Sequence, residues 1–220
     1  KRAAVQADAL VADSLGIQNY LRETYALESE YIAYGADVPA PQPTSALNSL
    51  GVQAGGYNLL IARMEPENHI EEIIQGHLQV EGAPKLVLVG SLETGYGPQL
   101  EKYRESDRLL FAGPLFDKPQ LDALREHAAL YLHGHSVGGT NPSLLEAMAA
   151  GALIAAHNNQ FNRAILGDNA AWFSDANALA GILRSDWAKR NQALRATNRT
   201  TIANTYSWDA IIDQYEAYFQ

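Results

Sequence analysis

From residue 57 onward, short apolar runs alternate with helical stretches, and this alternation constrains the fold more than any other feature of the chain. The runs lie at 57–62, 85–89, 108–112, 130–133 and 153–156, with a shorter one at 170–173. Continuous apolar runs of this length suit strands covered on both faces. Between them lie helical stretches at 69–80, 99–103, 118–126, 143–150 and 160–166. The pattern predicts an α/β, Rossmann-like parallel sheet with helices on both faces. The tail reads as helices at 177–183, 186–204 and 208–219.

Before residue 57 the pattern is less regular. Short strands are expected at 10–12 and 31–34, flanking a helix at 16–26 with Ile17, Tyr20, Leu21 and Tyr25 near helical spacing. Residues 39–56 are rich in Pro, Ser, Gly and Asn and read as a linker or long loop. The chain opens at Lys1 without a Met and reads as a fragment whose natural N-terminus lies elsewhere. No apolar run is long enough to span a bilayer. The absence of cysteine excludes disulfides and thiolate metal sites, and fits a reducing cytoplasm.

The formal net charge of -9 argues against nucleic acid as a partner, because a phosphate backbone needs clustered Lys and Arg. A small phosphorylated ligand would need local donors to overcome the overall field. In open parallel sheets ligands sit beyond the carboxyl ends of the strands. Arg63, Gly90, Gly113 and the triplet His133-Gly134-His135 follow successive expected strands. Arg63 is a candidate bidentate phosphate clamp, or a partner for Glu65 or Glu67.

The most informative segment runs from His133 to Met148. Gly138 and Gly139 allow a sharp turn and a close backbone approach. Asn141 suits an N-cap and Pro142 the first helical position. Free N–H groups at such a helix start make an anion site. Glu146, one turn on, is placed either to accept hydrogen bonds from sugar hydroxyls or to lie solvated on the helix flank.

This strand, Gly-rich turn and Leu-Leu-Glu-Ala-Met-Ala-Ala-Gly (144–151) resemble the donor site of retaining GT-B glycosyltransferases. Ala62-Arg63-Met64-Glu65-Pro66-Glu67-Asn68 is similar to that family's Gly-Arg-Leu-x-Pro-Glu-Lys. Leu86 to Gly90, Leu110 to Gly113 and Tyr206-Ser207-Trp208 match further segments in order, and Val11 to Ser14 and Tyr34 to Asp37 resemble the interdomain stretch. The resemblance implies the C-terminal half of a GT-B enzyme. Residues 1–56 would end the preceding domain and link it, 57–204 would bind the donor, and 205–220 would form the crossover helix. It places Arg63, Asn68, Gly139, Thr140 and Asn141 on the donor diphosphate, Glu146 on the ribose, and Pro114 and Leu115 at the base. His135 and Gly138 become candidate sugar contacts. Arg63 takes the catalytic role of stabilising the leaving diphosphate.

Two departures from the common pattern are informative. Gly138 stands where the first Glu of a Glu-x7-Glu motif is usual, and Asn68 stands where a phosphate Lys is usual. A subgroup with Arg-x-Glu-Pro-Glu-Asn and His-Gly-His-Ser-x-Gly-Gly-Thr-Asn-Pro shares both, and resembles rhamnosyltransferases that build bacterial capsule or O-antigen. The implied donor is dTDP-rhamnose. The implied acceptor is a saccharide or lipid-linked saccharide held mainly by a missing N-terminal domain, in the cytoplasm or peripherally at the inner membrane face. No cofactor is expected. No metal site is expected either, because no carboxylate-rich cluster accompanies His133 and His135. Asn68 is alternatively a cap for the helix starting at His69, and His135 alternatively a structural histidine. A nucleotide-sugar 2-epimerase and a non-catalytic nucleotide-binding module are the rival readings. Gly90, Gly95 and Gly97 do not form G-x-G-x-x-G, no Walker loop is present, and Ser136 is not in G-x-S-x-G.

Overall fold

The computed structural model describes residues 2–220. A short helix α1 (Arg2–Gln6) leads into a parallel pair, β1 (Val11–Ala12) and β2 (Glu30–Tyr31), joined by α2 (Leu15–Tyr25). Ser14 caps α2 through its hydroxyl. The main sheet contains β3 (Tyr57–Ile61), β4 (Lys85–Val89), β5 (Leu109–Gly113), β6 (Leu130–His133), β7 (Ile154–His157) and β8 (Ala171–Phe173). Its order is β5-β4-β3-β6-β7-β8, with every pairing parallel. The intervening helices are α3 (Ile70–Leu78), α4 (Gly97–Leu100), α5 (Lys118–His127), α6 (Pro142–Ala149) and α7 (Gln160–Leu166). The tail holds α8 (Ala176–Arg184), α9 (Trp187–Arg190), α10 (Leu194–Thr205) and α11 (Trp208–Phe219). The expected α/β Rossmann-like fold is present. Among the described residues, no helix is long and apolar enough to cross a membrane.

Successive residues of a strand face opposite sides of a sheet, and the two cores follow that alternation. Tyr57, Leu59, Val87 and Tyr131 pack with Ala123, Leu124, Leu144, Ala147 and Ile202 of α5, α6 and α10. Leu60, Leu86, Leu88 and Leu132 pack with Ile70, Ile73, Ile74 and Leu179 of α3 and α8. The strand runs lack polar alternation because both faces are covered.

Several boundaries differ from the sequence expectation, each for a local reason. The helix expected at 69–80 begins instead with a 3-10 turn, Pro66–Asn68, and His69 adopts a left-handed φ of 49° before α3 starts. The stretch 99–103 divides into α4 and a 3-10 turn, Glu101–Tyr103. The tail helix expected at 186–204 breaks between α9 and α10. There the Asn191 side chain donates to the Trp187 carbonyl at 2.7 Å, a local bond that competes with helix continuation. The expected strand 31–34 pairs only through Glu30–Tyr31. The linker at 39–56 is not featureless. It contains a 3-10 helix, Thr44–Leu50, whose Leu47 enters the core, and Gln120 of α5 donates to Ser49 Oγ at 2.7 Å.

His77 is fully buried near the end of α3, and neither ring nitrogen has a partner. Arg108 closes that helix end by donating to the carbonyls of Leu78 at 2.8 Å and His77 at 3.0 Å. Burial, reinforced by the Arg108 charge, pushes the His77 pKa down to about 4. The unfolded chain binds this proton near pH 6.5, and the folded chain refuses it until about pH 4. Stability is therefore full above about pH 6.5 and falls as pH drops toward 4. Urea unfolding of His77→Leu should show a flatter pH dependence over this window. An unchanged slope would mean that other groups carry the acid sensitivity.

Candidate functional site

The carboxyl ends of β3 and β6 border a cleft of about 280 Å³. From β3 the chain winds outward through β4 and β5, and from β6 it winds the other way through β7 and β8. The cleft thus lies at the topological switch point, where open parallel sheets bind ligands. Arg63, Asn68, His133, His135, Asn141 and Ser143 are among the residues lining it.

Arg63 is exposed and, among the described residues, its guanidinium has neither an ion-pair nor a hydrogen-bond partner. It pairs with neither Glu65 nor Glu67. Its guanidinium therefore stays available to a ligand. Asn68 is buried and both ends of its amide are used. Its Nδ2 donates to the Arg63 carbonyl at 2.8 Å, and His135 Nδ1 donates to its Oδ1 at 2.8 Å. Asn68 does not cap α3, since His69 holds the cap position without a side-chain bond. It instead fixes the backbone of Arg63 and the ring of His135. Burial lowers the His135 pKa. A hydrogen bond with the Val137 backbone and the charge of Glu67 oppose this, and Arg63 reinforces it. His133 is buried beneath the cleft, its pKa pushed down to about 3 by burial and by His135, and its Nε2 has no partner. His133 ends β6, and positions two apart in an extended segment share a face. The His133 and His135 ring centroids are 6.3 Å apart.

The loop after β6 approaches its neighbour closely. A Cβ on Gly134 would stand 2.0 Å from the Asn68 carbonyl oxygen, so only glycine fits. Ser136 N–H donates to the Glu67 carbonyl at 3.0 Å. Gly138 has a φ of 90°. Asn141 caps α6, accepting from Ser143 N–H at 2.9 Å and Leu144 N–H at 3.4 Å, and Pro142 follows in the first turn. Among the described residues, the N–H groups of Gly139, Thr140 and Asn141 have no partner. The Ser143 hydroxyl lies 2.8 Å from the Tyr131 hydroxyl on the cleft floor.

The other candidate residues lie around this cleft rather than in it. Gly139 packs against the Asp13 carboxylate, which a Cβ would meet at 1.9 Å. Thr140 is buried, with its hydroxyl donated to the Asp13 carbonyl, which leaves its backbone N–H as its unpaired donor. Glu146 borders an adjoining pocket with Pro142 and Trp208, its carboxylate paired with Arg125 and its side chain 44% exposed. Pro114 lines a third hollow beside Gly90 and Gly113, while Leu115 packs against the core. The next residue, Phe116, is 88% exposed.

No family model matches the sequence, and no curated protein does either. Solved structures do. Sucrose-phosphate synthase from Thermosynechococcus elongatus superposes on 99% of this chain and 59% of its own, with 20% identity and a TM-score of 0.84. Anabaena HepE, solved with UDP and glucose, matches 99% of this chain and 64% of its own at 18% identity and a TM-score of 0.83. TarM of S. aureus, solved with UDP among other ligands, matches 99% of this chain and 45% of its own at 15% identity and a TM-score of 0.76. The fold is that of GT-B C-terminal domains. The chain spans less than two thirds of the length of these neighbours, and at such identities the likeness concerns architecture alone.

Two residues at the site carry no signal in the sequence. Asp13 reaches the glycine loop from β1. Arg125, in the last turn of α5, is only 3% exposed and bridges Glu146 to Asp122, the latter at 3.4 Å. Lys118 joins Asp122 from the solvent side at 2.7 Å. Removing one partner of a buried pair leaves the other charge uncompensated. Arg125→Ala should cost about 2–4 kcal/mol in denaturant unfolding, toward the lower end because Glu146 is half open to water. Lys118→Ala, at an exposed end, should cost under about 1 kcal/mol. Equal costs would place the energetic weight outside Arg125.

Proposed function

We propose that this chain is the donor-binding domain of a glycosyltransferase, with the nucleotide diphosphate held at the switch-point cleft. The observation that carries the reading is the exposed, unpartnered Arg63 guanidinium in a cleft that Asn141, at the start of α6, also lines, with the N–H groups of Gly139 to Asn141 left without partners. An arginine fork and a row of amides at a helix start are complementary to a doubly charged diphosphate. In a chain of net charge -9 these donors are local exceptions to the overall field.

The chemistry follows from that placement. As the bond between the anomeric carbon and the diphosphate oxygen breaks, charge accumulates on the leaving oxygen. Arg63 and the amides would stabilise it, while the sugar passes through an oxocarbenium-like state. An acceptor hydroxyl forms the new bond to the anomeric carbon and passes its proton to the departing diphosphate oxygen. The family resemblance assigns retention of configuration and an acceptor held mainly by a further domain. Asn68 would act through Arg63 and His135 rather than on phosphate directly, and neutral His135 would face the sugar. Glu146 would take the ribose with the carboxylate oxygen that Arg125 leaves free. The base would lie toward Pro114 and Leu115, where exposed Phe116 offers an additional apolar surface.

For the donor itself, the subgroup motifs favour dTDP-rhamnose and a bacterial polysaccharide acceptor. Calorimetric titration of this chain with dTDP, UDP and GDP tests the assignment. Tightest binding of dTDP is expected, weakened about tenfold or more by Arg63→Ala, since hydrogen bonds between charged groups contribute about 1.5–3 kcal/mol. Preference for UDP or GDP would retain the glycosyltransferase and discard rhamnose. Unchanged affinity in Arg63→Ala would remove Arg63 from the site. In the complete enzyme, donor binding without sugar transfer would favour a regulatory nucleotide module, and conversion of the donor without acceptor would favour an epimerase.

A further inference from the structure

We propose that His69, Glu72 and His157 form a site for one divalent transition-metal ion of the zinc class, beside the switch-point cleft and separate from it. The fold assembles this set from distant sequence. His69 sits at the left-handed bend that ends the 3-10 turn, Glu72 follows on the first turn of α3, and His157 ends β7. Their ligating atoms all lie within 4.8 Å of one another, and each residue is half-buried. His69 Nδ1 is 3.3 Å from Glu72 Oε2, and the two imidazoles stack with centroids 3.9 Å apart.

Two imidazoles and a carboxylate are a borderline-soft donor set that suits zinc and its neighbours better than magnesium or calcium. A second observation also calls for a cation. Glu72 Oε1 is buried and has no hydrogen-bond partner. A carboxylate oxygen withdrawn from water without a donor is costly, and an ion bridging to the histidines would satisfy it. The surroundings leave the His157 ring largely uncommitted. Asn159 Nδ2 lies 3.4 Å from His157 Nδ1 but is engaged at shorter range by the His135 and His157 carbonyls, at 3.0 and 3.2 Å. Phe173 meets the His157 ring edge-on and supplies an apolar wall.

Zinc–nitrogen bonds of about 2.0–2.1 Å bring tetrahedral ligand atoms to roughly 3.4 Å from one another. The stacked rings, interplanar angle 16°, must therefore turn about their Cβ–Cγ bonds so that their lone pairs converge. Three protein ligands leave the fourth position to water or to a ligand atom. The site is also coupled to the cleft. Asn159 and Asn162 both donate to the His135 carbonyl, at 3.0 and 2.9 Å, and Asn162 donates to the His157 carbonyl at 2.9 Å. The β7 end that carries His157 is thereby tied to the loop that shapes the cleft.

Titration of the chain with Co²⁺ and Zn²⁺, in the absence of nucleotide, tests the site apart from the donor reading. One Co²⁺ per chain is expected, with visible absorption of a four-coordinate nitrogen–oxygen site, displaced by Zn²⁺ and not by Mg²⁺. His157→Ala should weaken binding at least tenfold. Glu72→Gln, which preserves shape, should do so even if His157→Ala fails to fold. His127→Ala, at the opposite end of the sheet, should leave it unchanged. Absence of a one-to-one complex, or wild-type affinity in folded Glu72→Gln or His157→Ala, would overturn the proposal.

Discussion

The carboxyl edge of the sheet depends on how closely the loop after β6 approaches the turn after β3. Gly134 passes so near the Asn68 carbonyl that no side chain fits between them. That approach brings Ser136 onto the Glu67 carbonyl and the His135 ring onto Asn68 Oδ1. Asn68 then passes the constraint on by holding the Arg63 carbonyl. Two loops from adjacent strands are closed against each other on one side. Their remaining donors, the Arg63 guanidinium and the amides of residues 139–141, are left without protein partners. A buried polar group that is already paired contributes rigidity, whereas an unpaired one at a cleft contributes recognition.

The same division explains which charges are satisfied internally. Arg125 is an immobile cation enclosed by α5 and α6, and it consumes Asp122 and part of Glu146. Arg195 spends its guanidinium on the carbonyls of Glu126, Ala128 and Gly151 at the amino end of the sheet. Arg199 does the same for Ala149 and Pro39. These arginines stabilise helix and loop ends. Arg63 differs in having no such duty. An arginine at a strand end is informative about function because its neighbours leave it unemployed, and that property belongs to the fold rather than to the residue type.

The strands were legible in the sequence because burial on both faces leaves no polar alternation. Leu59 and Leu60 point into opposite cores, as do Val87 and Leu88, and the run stays apolar throughout. The cap at Asn141 and Pro142 was legible because capping is local chemistry. What could not be read depends on contacts between distant segments. Asp122 and Arg125 look like an ordinary solvated i,i+3 pair, and only the packing of α5 on α6 buries them. Asp13 is one of many acidic residues until β1 brings it against Gly139. His69 looked like the first residue of a helix, and its left-handed φ gave it a different outlook, toward a histidine 88 positions later.

Gly138 unites these points. In the resembled family a glutamate is usual at this position, and its loss looks at first like decay of the site. The backbone there has a φ of 90°, which L side chains rarely adopt. A glutamate would strain this turn, so glycine is a requirement of the conformation that this loop takes. The turn in turn presents the amides that follow and lets Gly139 settle against the Asp13 carboxylate. Burial raises the pKa of Asp13, as expected for a carboxyl group shielded from water by this contact. A negative charge has thus been removed from position 138 while another approaches from β1 behind the loop. The glycine is better understood as part of a different electrostatic layout than as a lost catalytic group. In that layout positive character near the cleft comes from backbone amides and one unpaired arginine, and the neighbouring histidines remain neutral because they are buried.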